Sequence, residues 1–226
     1  MICIPVTAKT NDEALERMEA SFLLADMVEL RIDSMREPNL ENLLSAKKGP
    51  VIVTARRREE GGFFAGSERE RIALLREAVG CGAEFVDVEL GTDETLAEPV
   101  AQEIRKRGGR TKLIISHHDF RKTSSYGTLQ KTYNRCVSRG ADIVKIVTFA
   151  RSLQDNLKIL RLVDWAQGKG GSIIAHCMGD KGKVSRVMAP LFGSCMSFAS
   201  LERGEETAPG QLTASEMKEI FRILGR

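Results

Sequence analysis

Eight short β-branched runs alternate with segments of helical period along all 226 residues of this chain. The runs are Ile2 to Thr7, Met27 to Asp33, Val51 to Arg56, Phe85 to Leu90, Lys112 to His118, Asp142 to Thr148, Ser172 to Cys177 and Cys195 to Ala199. Between them apolar residues recur at three- and four-residue steps: Leu15, Met18 and Phe22; Leu40, Leu43 and Leu44; Ile72, Leu75 and Val79; Leu96, Val100 and Ile104. The rhythm continues with Leu129, Tyr133, Cys136 and Val137, with Leu153, Leu157, Leu160 and Val163, with Val187, Met188 and Leu191, and with Met217, Ile220, Phe221 and Leu224. Each set predicts one buried helical stripe. Strict alternation requires parallel strands joined by crossover helices, and eight such units close into a barrel. The predicted fold is therefore a single-domain (β/α)8 TIM barrel over residues 1–226. An open doubly wound sheet is the rival, but its glycine-rich turn is missing: Val6 leads into Thr7, Ala8 and Lys9. Capping boxes mark two helix starts, Ser67 with Glu70 and Thr213 with Glu216.

Apolar residues make up 42% of the chain and charged residues 29%, the mixture of a globular protein that can bury a core. The 34 basic and 31 acidic side chains leave a net charge of +3, too small a surplus to argue for nucleic acid or an anionic membrane. Apolar runs of a few residues fall far short of the roughly 20 needed to span a bilayer. Met1 runs straight into a β-like segment without the features of a secretory leader, which reads as a cytoplasmic start. Cys3, Cys81, Cys136, Cys177 and Cys195 are odd in number and never in CxxC spacing, so they are expected to be reduced core thiols.

In a barrel, one parity of each strand faces the helices and the other faces the interior, so polar residues at interior parity belong to the active-site face. Val28, Leu30 and Ile32 alternate with Glu29, Arg31 and Asp33; Val51, Val53 and Ala55 alternate with Thr54 and Arg56. Val86, Val88 and Leu90 alternate with Asp87 and Glu89, and Ser116 shares a side with His118. Lys145 lies within the apolar run Ile143 to Val147. Burial and neighbouring cations such as Arg31, Arg56 or Arg186 would lower its pKa and favour the neutral amine, which attacks carbonyls. The competing reading is a structural ion pair with Glu29, Asp87 or Glu89. His118 ends a strand, where an imidazole can trade protons with a ligand or simply be a satisfied strand-end group. His117 has opposite parity, and His176 either lines the site or belongs to the core. Neither an HxH pair nor an HExxH helix is present to support a metal site. Three loops are long or glycine-rich enough to close over a ligand: Arg57 to Phe64, Met178 to Arg186, and Glu202 to Leu212.

Taken together, Glu29-Leu30-Arg31, Thr54-Ala55-Arg56, Glu60-Gly61-Gly62, Ser116-His117-His118-Asp119-Phe120, Lys145, Ser185-Arg186 and Ala208-Pro209-Gly210-Gln211 resemble type I 3-dehydroquinate dehydratase. The resemblance runs from the second strand to the last loop. It implies a (β/α)8 barrel of the shikimate pathway that converts 3-dehydroquinate to 3-dehydroshikimate and water through a Schiff base, without metal or organic cofactor. Lys145 matches the imine-forming lysine, His118 the general base and acid, and Glu60 the carboxylate that orients this histidine and favours its protonated state. Arg186 matches the partner of the substrate carboxylate, and Gln211 a loop residue that holds hydroxyls. Glu29, Arg31 and Arg56 match positions that contact the substrate or brace the lysine, and Asp87 an acidic position behind the histidine. Thr207 stands where the family usually has serine, which keeps the hydroxyl and adds a methyl. Thr7 and Lys9 carry nothing over. The resemblance further implies a cytoplasmic homodimer acting on a small-molecule substrate, with no nucleic-acid or membrane partner. Two alternatives share parts of the pattern: a class I aldolase, with the same lysine electrophile, and a noncatalytic barrel that keeps Arg186 and Gln211 for ligand recognition.

Overall fold

The parity pattern becomes a ring of parallel strands in the computed structural model, which describes residues 1–225. The strands are β1 (Ile2–Thr7), β2 (Met27–Arg31), β3 (Val51–Thr54), β4 (Phe85–Glu89), β5 (Lys112–Asp119), β6 (Ile143–Phe149), β7 (Ile173–Met178) and β8 (Ser197–Phe198). They alternate with α1 (Asn11–Leu24), α2 (Leu40–Ser45), α3 (Glu68–Gly80), α4 (Glu94–Lys106), α5 (Tyr126–Ser138), α6 (Gln154–Gly168), α7 (Lys183–Leu191) and α8 (Ala214–Ile223). Pairing runs in the order β7-β6-β5-β4-β3-β2-β1-β8, with every neighbouring pair parallel. The barrel is nearly closed. Between β7 and β8 the contact is a backbone bond from Cys195 N–H to the Ile173 carbonyl at 2.8 Å and one from Ala175 N–H to Ser194 Oγ at 3.3 Å.

Side chains of the outward parity, including Val28, Leu30, Val51, Val53, Val86, Val88, Val144 and Ile146, are buried with Leu40, Leu75, Leu129, Ile159 and other helix residues. The inward parity is layered. At the bottom Cys3, Met27, Ile52, Ile114, Ile174 and Met196 form a dry plug. Each large apolar side chain enclosed there contributes about 1.5–3 kcal/mol by leaving water. Above the plug most inward positions turn polar, with Val147, Met178 and Phe198 as apolar parts of the wall. Both expected capping boxes form, Ser67 with Glu70 and Thr213 with Glu216, each worth about 1 kcal/mol.

Several expectations need correction. β2 stops at Arg31, and Ile32–Ser34 make a 3₁₀ turn because Ser34 Oγ bonds both the Ala8 amide and the Ala8 carbonyl. The eighth run shortens to two residues of ladder, Ser197–Phe198. Leu153 and Leu157 are 60% and 65% exposed, so the buried stripe of α6 is Asn156, Ile159, Leu162, Val163 and Ala166 instead. In α7 the buried face is Ser185, Arg186, Ala189 and Pro190, while Val187, Met188 and Leu191 are half-buried. Met178 to Arg186 is only partly a loop: a 3₁₀ turn at Asp180–Gly182 runs into α7, placing Arg186 on a helix. Val137 and Leu224 are exposed. All five cysteines are free, with Cys3, Cys136 and Cys177 buried and Cys81 and Cys195 half-buried. No described helix is long and apolar enough to cross a membrane.

Candidate active site

Interior parity carries Glu29 and Arg31 on β2, Thr54 on β3, Asp87 and Glu89 on β4, Ser116 and His118 on β5 and Lys145 on β6 toward one mouth. Lys145 Nζ lies 3.0 Å from Glu29 Oε1 and 3.0 Å from Asp87 Oδ2. Its open side faces the Phe198 ring, 4.4 Å from the centroid. The sequence posed catalytic site and ion pair as alternatives; the lysine is ion-paired and also lines the cavity described below. The groups touching its nitrogen are carboxylates, not the cations expected to crowd it.

These contacts belong to a buried chain of alternating charge. Asp87 also accepts from Arg56 Nη2 at 2.6 Å and from Ser116 Oγ at 2.6 Å. Arg56 Nη1 reaches Glu89 at 3.0 Å, and Glu89 accepts from Arg71 Nη1 at 2.6 Å. Arg71, on α3, also donates to the Ala55 carbonyl and is 1% exposed. Burial alone would raise the Asp87 pKa, but the Arg56 and Lys145 charges hold it well below the usual carboxylate range. Thr54 Oγ1 donates to Glu29 Oε1 at 2.9 Å. Glu89, Arg56, Asp87 and Lys145 each touch two oppositely charged partners, so removing one member leaves its neighbours with fewer partners in a dry interior, which destabilises the fold. Arg31 is bound through two nitrogens to Asp33, which also accepts the Phe63 amide and so ties the Arg57 to Phe64 loop to the end of β2.

That loop delivers Glu60. Glu60 Oε2 accepts the His118 backbone N–H at 3.0 Å and lies 2.8 Å from His118 Nδ1. Gly62 is required for this course, because a Cβ there would stand 2.0 Å from the Arg56 carbonyl oxygen. Burial penalises both charged forms of the pair. It pushes Glu60 up to about 7, opposed by Arg56. It also holds His118 well below the ordinary imidazole value, reinforced by the Arg56 and Lys145 cations. The resemblance implies that Glu60 favours protonated His118; in the free chain burial opposes the charged form of both groups. The other ring nitrogen, Nε2, takes no part in this bond.

The far wall comes from β7, α7 and the last loop. Ser185 Oγ accepts the Cys177 amide and donates to the Gly182 carbonyl, fixing the start of α7 beside β7. Arg186 is fully buried, donates from Nη2 to the Pro209 carbonyl at 3.1 Å, and meets no carboxylate among the described residues. Burial lowers its pKa to about 10. The loop bearing Pro209 is pinned by a second bond from Gly179 N–H to the same carbonyl. Gly210 sits at φ +77°, where a Cβ would meet the Gly179 carbonyl at 2.3 Å. Gln211 Nε2 donates to Thr207 Oγ1 at 3.2 Å, and its carbonyl accepts the Thr207 amide at 2.8 Å.

One cavity is lined by Glu29, Arg31, Arg56, Glu60, His118, Lys145, Arg186, Thr207 and Gln211 together, with Asp87 behind the lysine. Sequence parity left His176 undecided; it lines this cavity too. Phe198 and Phe120 on the wall were missed, although Phe198 shares parity with Met196 and was legible in principle. Arg71 was missed because a cation on an amphipathic helix reads as solvated. His117 is half-buried and outside the cavity, and Thr7 and Lys9 lie in a neighbouring hollow. Among the described residues no group of three or more His, Cys, Asp or Glu is arranged to hold a metal ion.

Residues 2–226 match the family model described as type I 3-dehydroquinase. The 3-dehydroquinate dehydratase of Methanocaldococcus jannaschii is 38% identical over 224 residues, covering 99% of both chains. The crystal structure of 3-dehydroquinate dehydratase from Geobacillus kaustophilus superposes with a TM-score of 0.88 at 25% identity, over 99% of this chain and 90% of that one. The type I enzyme of Clostridium difficile, solved with covalently modified comenic acid, gives 0.86 at 27% identity, over 99% and 91%. The buried lysine, the histidine pair and the isolated arginine therefore sit in a barrel shared over its whole length with these proteins, and the chain belongs to the type I 3-dehydroquinase family.

Proposed function

We propose that the chain is a hydro-lyase that dehydrates 3-dehydroquinate to 3-dehydroshikimate through an imine on Lys145, in the shikimate pathway. The observation that carries this reading is the position of Lys145 Nζ, buried at the floor of a cavity whose walls also hold the His118–Glu60 pair and Arg186. Arg186, without an acidic partner among the described residues, supplies the charge for the substrate carboxylate, where a planar fork makes two charge-assisted bonds. Glu29, Arg31, Arg56, Thr207 and Gln211 surround the hydroxyls.

The reaction requires Nζ to lose a proton, and Glu29 lies within hydrogen-bonding distance to take it, while Asp87, held ionised by Arg56, faces the same nitrogen. The amine then adds to the C3 ketone, and water departs to leave a protonated iminium. His118, neutral because of its burial, takes the C2 proton, and the electron pair moves toward the iminium nitrogen. The resulting enamine expels the C1 hydroxyl, which leaves as water with the proton held on His118. Addition of a second water to the iminium carbon releases the enone and returns the free lysine. Glu60 can hold or return the Nδ1 proton during this cycle because burial places it near neutrality. An aldolase would use the same electrophile, but family membership favours dehydration. We assign the enzyme to the cytoplasm as a homodimer on the same resemblance.

The test is incubation with 3-dehydroquinate, followed by borohydride reduction, intact-mass measurement and peptide mapping. The expected result is ultraviolet absorbance of the enone and a substrate adduct on Lys145. No dehydration, or an adduct elsewhere, overturns the reading.

A further inference from the structure

Five buried side-chain polar atoms lack a hydrogen-bond partner among the described residues, and three of them are His176 Nδ1, Arg186 Nε and Arg186 Nη1. Both residues line the candidate active site. Buried polar atoms are ordinarily paired, so this cluster marks a place where a molecule from outside the chain supplies the partner. The proposed role of Arg186 absorbs two of the three atoms. His176 is left over.

His176 is 4% exposed and enters the cavity from β7, opposite Val147 in register and one inward step above Ile174 of the apolar plug. The Phe198 ring lies beside it at 6.0 Å and fixes that flank. Burial, with the nearby Arg186 and Lys145 cations, holds the imidazole well below its ordinary pKa, so the ring is neutral. A neutral ring offers one N–H and one acceptor nitrogen. A carboxylate offers about four acceptor sites, of which a guanidinium fork uses two. An uncharged donor beside that fork fills a third site without setting another cation against Arg186.

Resting on the reading of Arg186 as the carboxylate partner, we propose that His176 is a substrate-binding residue whose Nδ1–H donates a hydrogen bond to the same substrate carboxylate. The Nδ1–H tautomer leaves Nε2 as acceptor. His176 takes no part in proton transfer, so its loss weakens binding more than turnover.

The experiment compares wild type with His176→Leu, His176→Asn and His176→Gln in steady-state dehydration of 3-dehydroquinate, alongside the thermal midpoint of each protein. His176→Leu is expected to raise KM roughly ten- to hundred-fold, the range for a hydrogen bond to a charged group, with kcat within about three-fold. Its midpoint is not lowered, since the replaced nitrogen has no partner in the free protein. His176→Asn, whose amide nitrogen falls near the Nδ1 position, recovers most of the affinity, and His176→Gln does not. An unchanged KM in folded His176→Leu overturns the proposal. Rescue by Gln and not Asn overturns the Nδ1 contact, and parallel loss of midpoint and activity in all three variants overturns a binding role. A wild type that leaves 3-dehydroquinate intact overturns the functional reading itself, whereas an active wild type with unchanged KM in His176→Leu overturns only this inference.

Discussion

On the β2 to β6 side of the mouth, Lys145, Arg56 and Arg31 each meet a carboxylate within 3.0 Å, whereas Arg186 on the β7 to β8 side meets only the Pro209 carbonyl. The paired side is a closed circuit from Arg71 through Glu89, Arg56 and Asp87 to Lys145 and Glu29. Its charges are satisfied before any ligand arrives, so its geometry is fixed for chemistry. The other side keeps nitrogens of Arg186 and His176 without a hydrogen-bond partner among the described residues, the pattern expected of the proposed anion-binding wall. On the proposed function one half reacts and the other recognises, which predicts that substitutions in the two halves fail differently.

The sharpest break comes from Lys145→Ala. It should reduce turnover by about 10⁴-fold or more, as loss of a covalent nucleophile does, and abolish borohydride trapping. It also takes from Glu29 its hydrogen-bonded cation, while Asp87 keeps Arg56, so a lowered thermal midpoint is expected. Retained trapping would move the nucleophile elsewhere. Next is His118→Ala, expected to slow elimination by about 10²–10⁴-fold while the imine still forms and is captured by borohydride. Rapid turnover in single-turnover assays would remove His118 from proton transfer.

Arg186→Ala tests the recognising half. KM should rise roughly ten- to hundred-fold through loss of charge-assisted bonds, with little fall in midpoint, because a buried cation without an acidic partner stabilises the free fold little. A large destabilisation with normal KM would reverse the assignment of the two halves. Glu60→Gln gives the smallest and most pH-specific effect on stability. The Glu60 pKa rises from 4.5 to about 7 on folding, so the native state binds the extra proton between these values and stability falls as pH rises through that window. The penalty is absent below pH 4.5 and complete above 7, where it amounts to about 3 kcal/mol at most. Glu60→Gln should therefore melt higher than wild type at pH 8 and equally at pH 4, despite lower activity. A midpoint difference independent of pH would show that Glu60 is not buried as an acid.

The paired half was the more legible in sequence. Glu29, Arg31, Asp87 and Lys145 announce themselves because each interrupts an apolar run at inward parity, where a charge needs either a function or an ion-pair partner. Arg186 could not be found that way: it sits on α7, whose apolar residues suggested a stripe at Val187, Met188 and Leu191, while the buried face is Ser185, Arg186, Ala189 and Pro190. Only the resemblance located it. Leu153 and Leu157 misled for the related reason that periodicity reports an apolar face without saying what covers it. His176 stayed undecided because parity places a side chain inward but does not reveal whether a partner waits there. Arg71 was invisible, since its partner Glu89 lies 18 residues away in sequence and the pairing exists only once α3 docks.

The seam between β7 and β8 carries a mechanical consequence. Elsewhere the wall is laced by continuous ladders, but here Cys195 and Ala175 supply the stitching. His176 and Phe198 sit on its two lips, and Arg186 rides on the helix that spans it. Spreading of that slit under thermal agitation would reach the reactive amine as well, because Lys145 stands on β6, next to β7, with its nitrogen 4.4 Å from the Phe198 ring. The weakest stitch in the wall thus lies one strand away from the amine.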